Sequence, residues 1–111
     1  MSNRRLCSMA DIPDPGSAGF AIKVGERAMR LMVIRQGATV HIYENSCPHR
    51  RLPLDFKPGH FLDAEQKHIL CTNHIALFQI DDGLCIDGPC RGASLNKFSA
   101  TVLDDAVFVT L

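Results

Sequence analysis

The sequence predicts an all-β fold, a small antiparallel sandwich or barrel, from three observations. Apolar residues come in short runs of strand length, no long stretch keeps a helical period, and turn-forming residues separate the runs at close spacing. The longest unbroken apolar runs, Leu31–Ile34 and Ile75–Phe78 among them, are four residues each, far short of a bilayer span.

Taken in order, Arg4–Cys7 and Phe20–Val24 are the first strand candidates, with the turn signal Asp14-Pro15-Gly16 between them. Ala28–Arg35 and Ala38–Glu44 flank Gln36-Gly37 and read as a hairpin, with Val40, Ile42 and Glu44 on one face. After Pro58-Gly59 comes His68–Leu70, and Asp81-Asp82-Gly83 separates Ala76–Ile80 from Leu84–Ile86. Gly88-Pro89 opens the last third, where Phe98–Leu103 and Val107–Leu111 flank Asp104-Asp105. There is no internal repeat and no low-complexity segment.

The 111 residues are expected to form a single domain with a modest core, residues 1–111. An apolar fraction of 46% and a charged fraction of 22% argue against disorder. With 12 basic and 12 acidic residues the formal net charge is zero, so the basic excess that accompanies nucleic-acid or anionic-membrane partners is missing. Arg4-Arg5 is followed by Leu6, Cys7, Ser8, Met9, Ala10 and Asp11, which is no signal-peptide core, and the expectation is a soluble, cytoplasmic protein. Five cysteines, an odd number, make a disulfide framework a poor reading and favour metal or redox use.

The chemistry concentrates in the middle of the chain. Cys47-Pro48-His49 pairs a thiol and an imidazole across one residue, and Cys71-Thr72-Asn73-His74 does so across two. Residues 50 to 70 lie between the pairs, 21 positions. Two thiolates and two imidazoles can hold a tetrahedral zinc ion, or two irons with two ligands each. Structural zinc sites usually pair Cys with Cys and His with His, so mixed pairs favour the two-iron arrangement. Pro48 restricts the backbone between its flanking ligands.

Cys47-Pro48-His49-Arg50 resembles the first cluster box of the Rieske [2Fe–2S] ferredoxin family, and Cys71-x-x-His74-x-Ala76-x-Phe78 resembles the second. Asp82-Gly83-x-Cys85-x-x-Gly88-Pro89-Cys90-x-Gly92-x-x-Leu95 is similar to the turn and proline loop that follow, and Glu26-Arg27 through Glu44-Asn45 to the hairpin that precedes. The likeness is weakest over the first 20 residues. Ile75 and Arg51 stand where the family commonly has glycine.

The resemblance implies a Rieske fold, with a cluster-binding subdomain formed by two loops within roughly residues 45–92. It also implies one [2Fe–2S] cluster per chain, with Cys47, His49, Cys71 and His74 as ligands. Two thiolates in place of four leave the oxidised core uncharged, so the potential is expected above that of plant-type ferredoxins. High-potential members carry an extra cysteine in each loop, where Leu52 and Asn73 stand here, and hydroxyls where Ala76 and Phe78 stand. Without that bridge and those donors a low-potential centre is expected.

Only 37 residues follow His74 (111 − 74), and no oxygen-activating domain is expected among them. The resemblance therefore implies an electron-transfer protein with no substrate or catalytic residue of its own. It would carry one electron at a time from a flavin-dependent reductase to a terminal oxygenase. The alternatives are a small Rieske subunit of a larger redox enzyme, as in nitrite reductase, and a structural zinc module. His41, His60 and His68 read as ordinary residues and Cys7 and Cys85 as small core residues, while Cys90 in the proline loop reads at least as readily as packing as it does as functional. Arg50 and Arg51 read equally as a solvated face and as steering for an acidic partner; Asp81, Asp82 and Asp87 read as turn residues.

Overall fold

The computed structural model describes residues 3–46, 48, 54, 61–71, 76–89 and 91–110. Its strands are β1 (Asn3–Ser8), β2 (Gly16–Val24), β3 (Arg27–Gln36), β4 (Thr39–Glu44), β5 (His68–Cys71), β6 (Ala76–Gln79), β7 (Cys85–Asp87), β8 (Lys97–Leu103) and β9 (Ala106–Thr110). A single 3₁₀ turn, Met9–Asp11, follows β1.

Six strands form one antiparallel sheet in the order β1-β9-β8-β4-β3-β2, and β5-β6-β7 form a second of three. Strand β8 turns the corner of the larger sheet: Lys97 and Phe98 pair with Tyr43 and Ile42 of β4, and Ser99–Leu103 pair with β9. The two edges approach each other, where the Arg4 guanidinium donates to the Lys23 carbonyl. The result is a nearly closed barrel with a small sheet attached, which agrees with the all-β expectation.

Strand β3 explains how the two parts join. Leu31, Met32, Val33 and Ile34 are all fully buried. Because successive side chains point to opposite faces, Leu31 and Val33 pack inside the barrel with Ile42, Val107 and Val109. Met32 and Ile34 pack on the other face with Phe61, Ile69, Phe78 and Leu95, between the barrel and the small sheet. The unbroken apolar run is thus a strand covered on both sides. Strand β4 follows suit, and the reading of one inward face at Val40, Ile42 and Glu44 is incomplete. Tyr43 on the opposite face is equally buried.

Tyr43 clamps the small sheet to the barrel. Its hydroxyl donates to the carbonyl of Ile80, the residue after β6. Its ring lies against Gly83, where an added Cβ would come within 2.8 Å of a ring carbon and the φ of +74° already favours glycine. Burial, with Asp82 and Asp81 nearby, pushes the Tyr43 phenol upward and keeps it a donor at physiological pH.

Some strand limits differ from the sequence reading. Strand β2 begins at Gly16, four residues before Phe20, because the long β3 offers partners as far as Arg35. The β3–β4 turn is Gly37-Ala38, one residue later than Gln36-Gly37, with Gln36 paired to Thr39 and Gly37 at φ +63°. At Asp104-Asp105 both residues have positive φ, the backbone a two-residue hairpin turn requires. The Pro58-Gly59 turn lies outside the described residues. Residues 3–20, in the region where the family likeness is weakest, supply β1 and the start of β2, the two edge strands of the larger sheet, and are strapped to the barrel. Arg35 Nη1 donates to the carbonyls of Met9 and Ile12 at 2.9 and 3.2 Å. Among the described residues no helix is long and apolar enough to cross a membrane.

Two outcomes are expected. Tyr43→Phe leaves the Ile80 carbonyl unpaired and lowers unfolding free energy by about 1–3 kcal/mol, measured by denaturant titration. His41 on β4 has its pKa lowered by burial and then by Lys97, against an opposing pull from Asp81. The fold therefore prefers neutral His41. That stability is complete above the unfolded pKa of about 6.5 and is lost as pH falls through the depressed folded value. His41→Gln should lose less stability than wild type between about pH 7.5 and 5.5.

Candidate metal centre

Of the four predicted ligands, Cys71 lies in a described strand, whereas Cys47, His49 and His74 fall outside the described residues, as do Ile75, Arg51, Leu52, Asn73 and Cys90. The structure describes what brackets them. The first loop leaves the end of β4, where Ser46 and Pro48 stand on either side of Cys47. The second is the four-residue connection 72–75 between β5 and β6, closed by the pair Cys71–Ala76.

The first loop is clasped at its base. The Asn45 backbone N–H donates to the Arg30 carbonyl at 2.8 Å, anchoring this residue to β3. The Asn45 side-chain oxygen accepts the N–H of Leu54 at 2.8 Å, across the nine positions that separate them. Leu54 is fully buried and belongs to the same core as Cys71, Ala76 and Phe78. One hydrogen bond and one apolar anchor thus tie Leu54 back to Asn45 and to the core that contains Cys71 and Ala76. Asn45 itself is 91% buried, with 9% of its surface exposed. An amide there serves the clasp rather than solvent.

The second loop rests on a rigid hairpin end. Cys71 is fully buried and faces its strand partner Ala76. Ala76 and Phe78, two residues apart on β6, share a face and are also fully buried. Asp63, just upstream, accepts the backbone N–H groups of Lys67 and His68 at 2.9 and 3.2 Å, and its other oxygen pairs with the His68 ring at 3.3 Å. Desolvation raises the Asp63 pKa, but these bonds outweigh it and hold the carboxyl below its ordinary value. The bond from Leu70 N–H to the Phe61 carbonyl, 2.7 Å, adds residues 61–63 as a further edge beside β5.

The segment after β7 approaches the same hairpin end. A Cβ on Gly88 would meet Ala76 Cα at 2.8 Å and Cβ at 2.9 Å, so only glycine permits this approach. The loop is closed by Cys85 N–H to the Ala93 carbonyl at 2.8 Å and Gly92 N–H to the Cys85 carbonyl at 3.1 Å. Cys85 is buried, and its thiol donates to the Asp87 carbonyl at 3.2 Å, which accounts for it as a structural residue. Cys7 is buried in the barrel core, where desolvation first and Asp11 second raise its thiol to about 11, out of reach of ordinary thiolate chemistry. Asp82 accepts the N–H of Leu84 at 2.9 Å, the turn role expected for it.

Soft thiols, imidazoles, an apolar floor and a glycine-permitted covering loop suit an iron–sulfur centre. A model of the Rieske [2Fe-2S] domain matches residues 3–102. The chain belongs to the Rieske [2Fe-2S] domain family. Its cofactor is the family's [2Fe–2S] cluster, which the donor set of Cys and His suits.

Solved structures agree on the fold. The ferredoxin of carbazole 1,9a-dioxygenase from Nocardioides aromaticivorans IC177 superposes with a TM-score of 0.77 at 22% identity, over 99% of this chain and 98% of its own. The Sphingomonas yanoikuyae B1 ferredoxin gives 0.77 at 22%, over 99% of each chain. The terminal oxygenase of carbazole 1,9a-dioxygenase from Novosphingobium sp. KA1 also gives 0.77, at 16%, but only 29% of its length is covered. No curated protein sequence matches the chain.

Sequence reasoning missed Asn45, Leu54 and Tyr43. A buried-type polar residue immediately before a ligand loop was the available signal for Asn45. Asn45→Ala, which removes the side-chain oxygen that accepts the Leu54 N–H, should cost about 1–3 kcal/mol and speed loss of iron on dilution into a chelator. Asn45→Asp, which keeps the acceptor oxygen, should retain iron longer than Asn45→Ala. Iron release followed by absorbance checks both.

Proposed function

We propose that this chain, as one Rieske domain, is a ferredoxin that carries one electron at a time from a flavin-dependent reductase to a terminal oxygenase. The observation that carries the reading is the match of nearly the whole chain to nearly the whole of two ferredoxins, against less than a third of an oxygenase. Solved complexes between ferredoxin and oxygenase of carbazole 1,9a-dioxygenase share the fold and supply the precedent for the acceptor. A cytoplasmic location follows from the same reading.

Cys47 and Cys71 would hold one iron through their sulfurs, and His49 and His74 the other through ring nitrogens. When bound, the cluster takes up and releases a single electron. The chain's own residues set the conditions. Leu54, Phe78 and the buried Cys71 form an apolar wall that excludes water on the barrel side. The Asn45–Leu54 clasp and the Cys71–Ala76 pair hold the two loops in a fixed relation, which keeps ligand geometry similar in both oxidation states. Ala76 and Phe78 carry no hydroxyl, so neither side chain favours the more negative state.

Rapid mixing of the reduced protein with the oxidised terminal oxygenase encoded nearest to it tests the function. Electron transfer fast enough to sustain turnover is expected, and no transfer to any oxygenase alongside stable incorporation into another enzyme would contradict it. Ala76→Ser and Phe78→Tyr should each raise the midpoint potential, within the window of about −150 to +300 mV seen for Rieske centres. Voltammetry of the variants reads this directly.

A further inference from the structure

The hairpin of β2 and β3 runs past the end of β4, and this overhang frames a groove of about 690 Å³. It is lined by Arg27 and Arg30, three residues apart on β3 and so directed to opposite faces of the strand at this edge, and by Ser94, Asn96 and Pro48. Pro48 lies between two of the predicted ligands, so the groove borders the first cluster loop. The edge of β3 is open here. Strand β4 ends at Glu44, opposite Leu31, and among the described residues only the Asn45 N–H reaches farther, to the Arg30 carbonyl.

The charges in the groove are unbalanced. Arg27 and Arg30 are exposed, and among the described residues neither guanidinium has a hydrogen-bond or ion-pair partner. Arg35, on the same strand, instead spends its guanidinium on three carbonyls and Asp14. Lys23 adds to the positive side: it pairs with Ala28 while Arg30 pairs with Ala21, which puts Lys23 and Arg30 on one face of the overhang. Among the described residues the one acid in the groove, Glu44, accepts from the Asn96 amide at 3.3 Å, which orients its carboxylate, and its single charge offsets one of the two guanidiniums. Glu26, at the hairpin turn, is the other acid of the overhang.

We propose that this groove docks a carboxylate-rich segment of the protein with which the chain exchanges electrons. The inference rests on the electron-carrier reading above and adds the chemistry of the partner. Each guanidinium is suited to a bidentate carboxylate contact on its own side of the β3 edge, and their exposure makes them effective in steering the encounter. A chain with zero net charge gains no long-range attraction from its total charge, so a local basic groove beside the cluster loop gives the encounter its direction. The open β3 edge adds backbone donors and acceptors for an extended segment.

The test uses the cluster-loaded protein and a fluorescent oligoglutamate peptide, followed by anisotropy. Binding is expected at low salt and should weaken severalfold toward about 0.15 M, where the screening length is about 8 Å. The double variant Arg27→Glu/Arg30→Glu should bind about tenfold more weakly and should gain affinity for oligolysine. Arg27→Gln/Arg30→Gln should fall between. Lys67→Glu, on an exposed turn beside Glu65, should match wild type. Unchanged oligoglutamate affinity in the double variant, or an equal loss in Lys67→Glu, overturns the proposal. Tighter binding of a single-stranded oligonucleotide of equal charge overturns the acidic-protein occupant. Absorbance and EPR spectra recorded on the same samples separate the two layers of the reading. A wild-type sample without an iron–sulfur spectrum sinks the electron-carrier function, whereas an intact spectrum with unaltered peptide affinity sinks the groove alone.

Discussion

Strand β3 is buried on both faces, and the arrangement of the rest follows from that constraint. Leu31 and Val33 complete the barrel core, while Met32 and Ile34 provide the surface on which the three-stranded sheet sits. A hairpin with only one apolar face would leave the small sheet without a platform. Because β4 is the neighbour of β3, its Tyr43 also points at the small sheet, and the hydroxyl that reaches the Ile80 carbonyl turns apolar packing into a fixed orientation.

That orientation matters because the predicted ligands come from both parts. The first loop departs from β4 of the barrel, and the second joins β5 to β6 of the small sheet. Their shared floor is the core between the sheets, where Leu54 from one loop meets Cys71 and Ala76 from the other. Rotation of one sheet against the other would move one pair of predicted ligands relative to the other pair. Gly83 beneath Tyr43 and Gly88 against Ala76 are close backbone approaches in this region, and both need glycine.

Much of this was legible in the sequence. Short apolar runs and turn residues gave the strands, and the mixed Cys–His pairs gave the centre. Three things were not legible, for physical reasons. Periodicity over Val40, Ile42 and Glu44 registers one face, so it cannot reveal that a second core covers Tyr43. The Gly16–Gly19 start of β2 has weak strand propensity and becomes a strand because the long β3 offers it partners. Asn45 works through a hydrogen bond to a residue nine positions away, a relation that no local pattern encodes. The ligand assignment of Cys47, His49 and His74 stands on spacing and family resemblance, while Cys71 stands also on its burial at the hairpin end.

The central claim is that the two loops together present two sulfurs and two imidazole nitrogens to one cluster. Electron–nuclear double resonance on the reduced protein, with histidine ¹⁵N-labelled and with natural abundance nitrogen, tests this most directly. The account predicts strong couplings to two histidine nitrogens that change with the label, and their loss on substitution of His49 or His74. A spectrum without histidine coupling, or a colourless protein that binds one zinc, would contradict it.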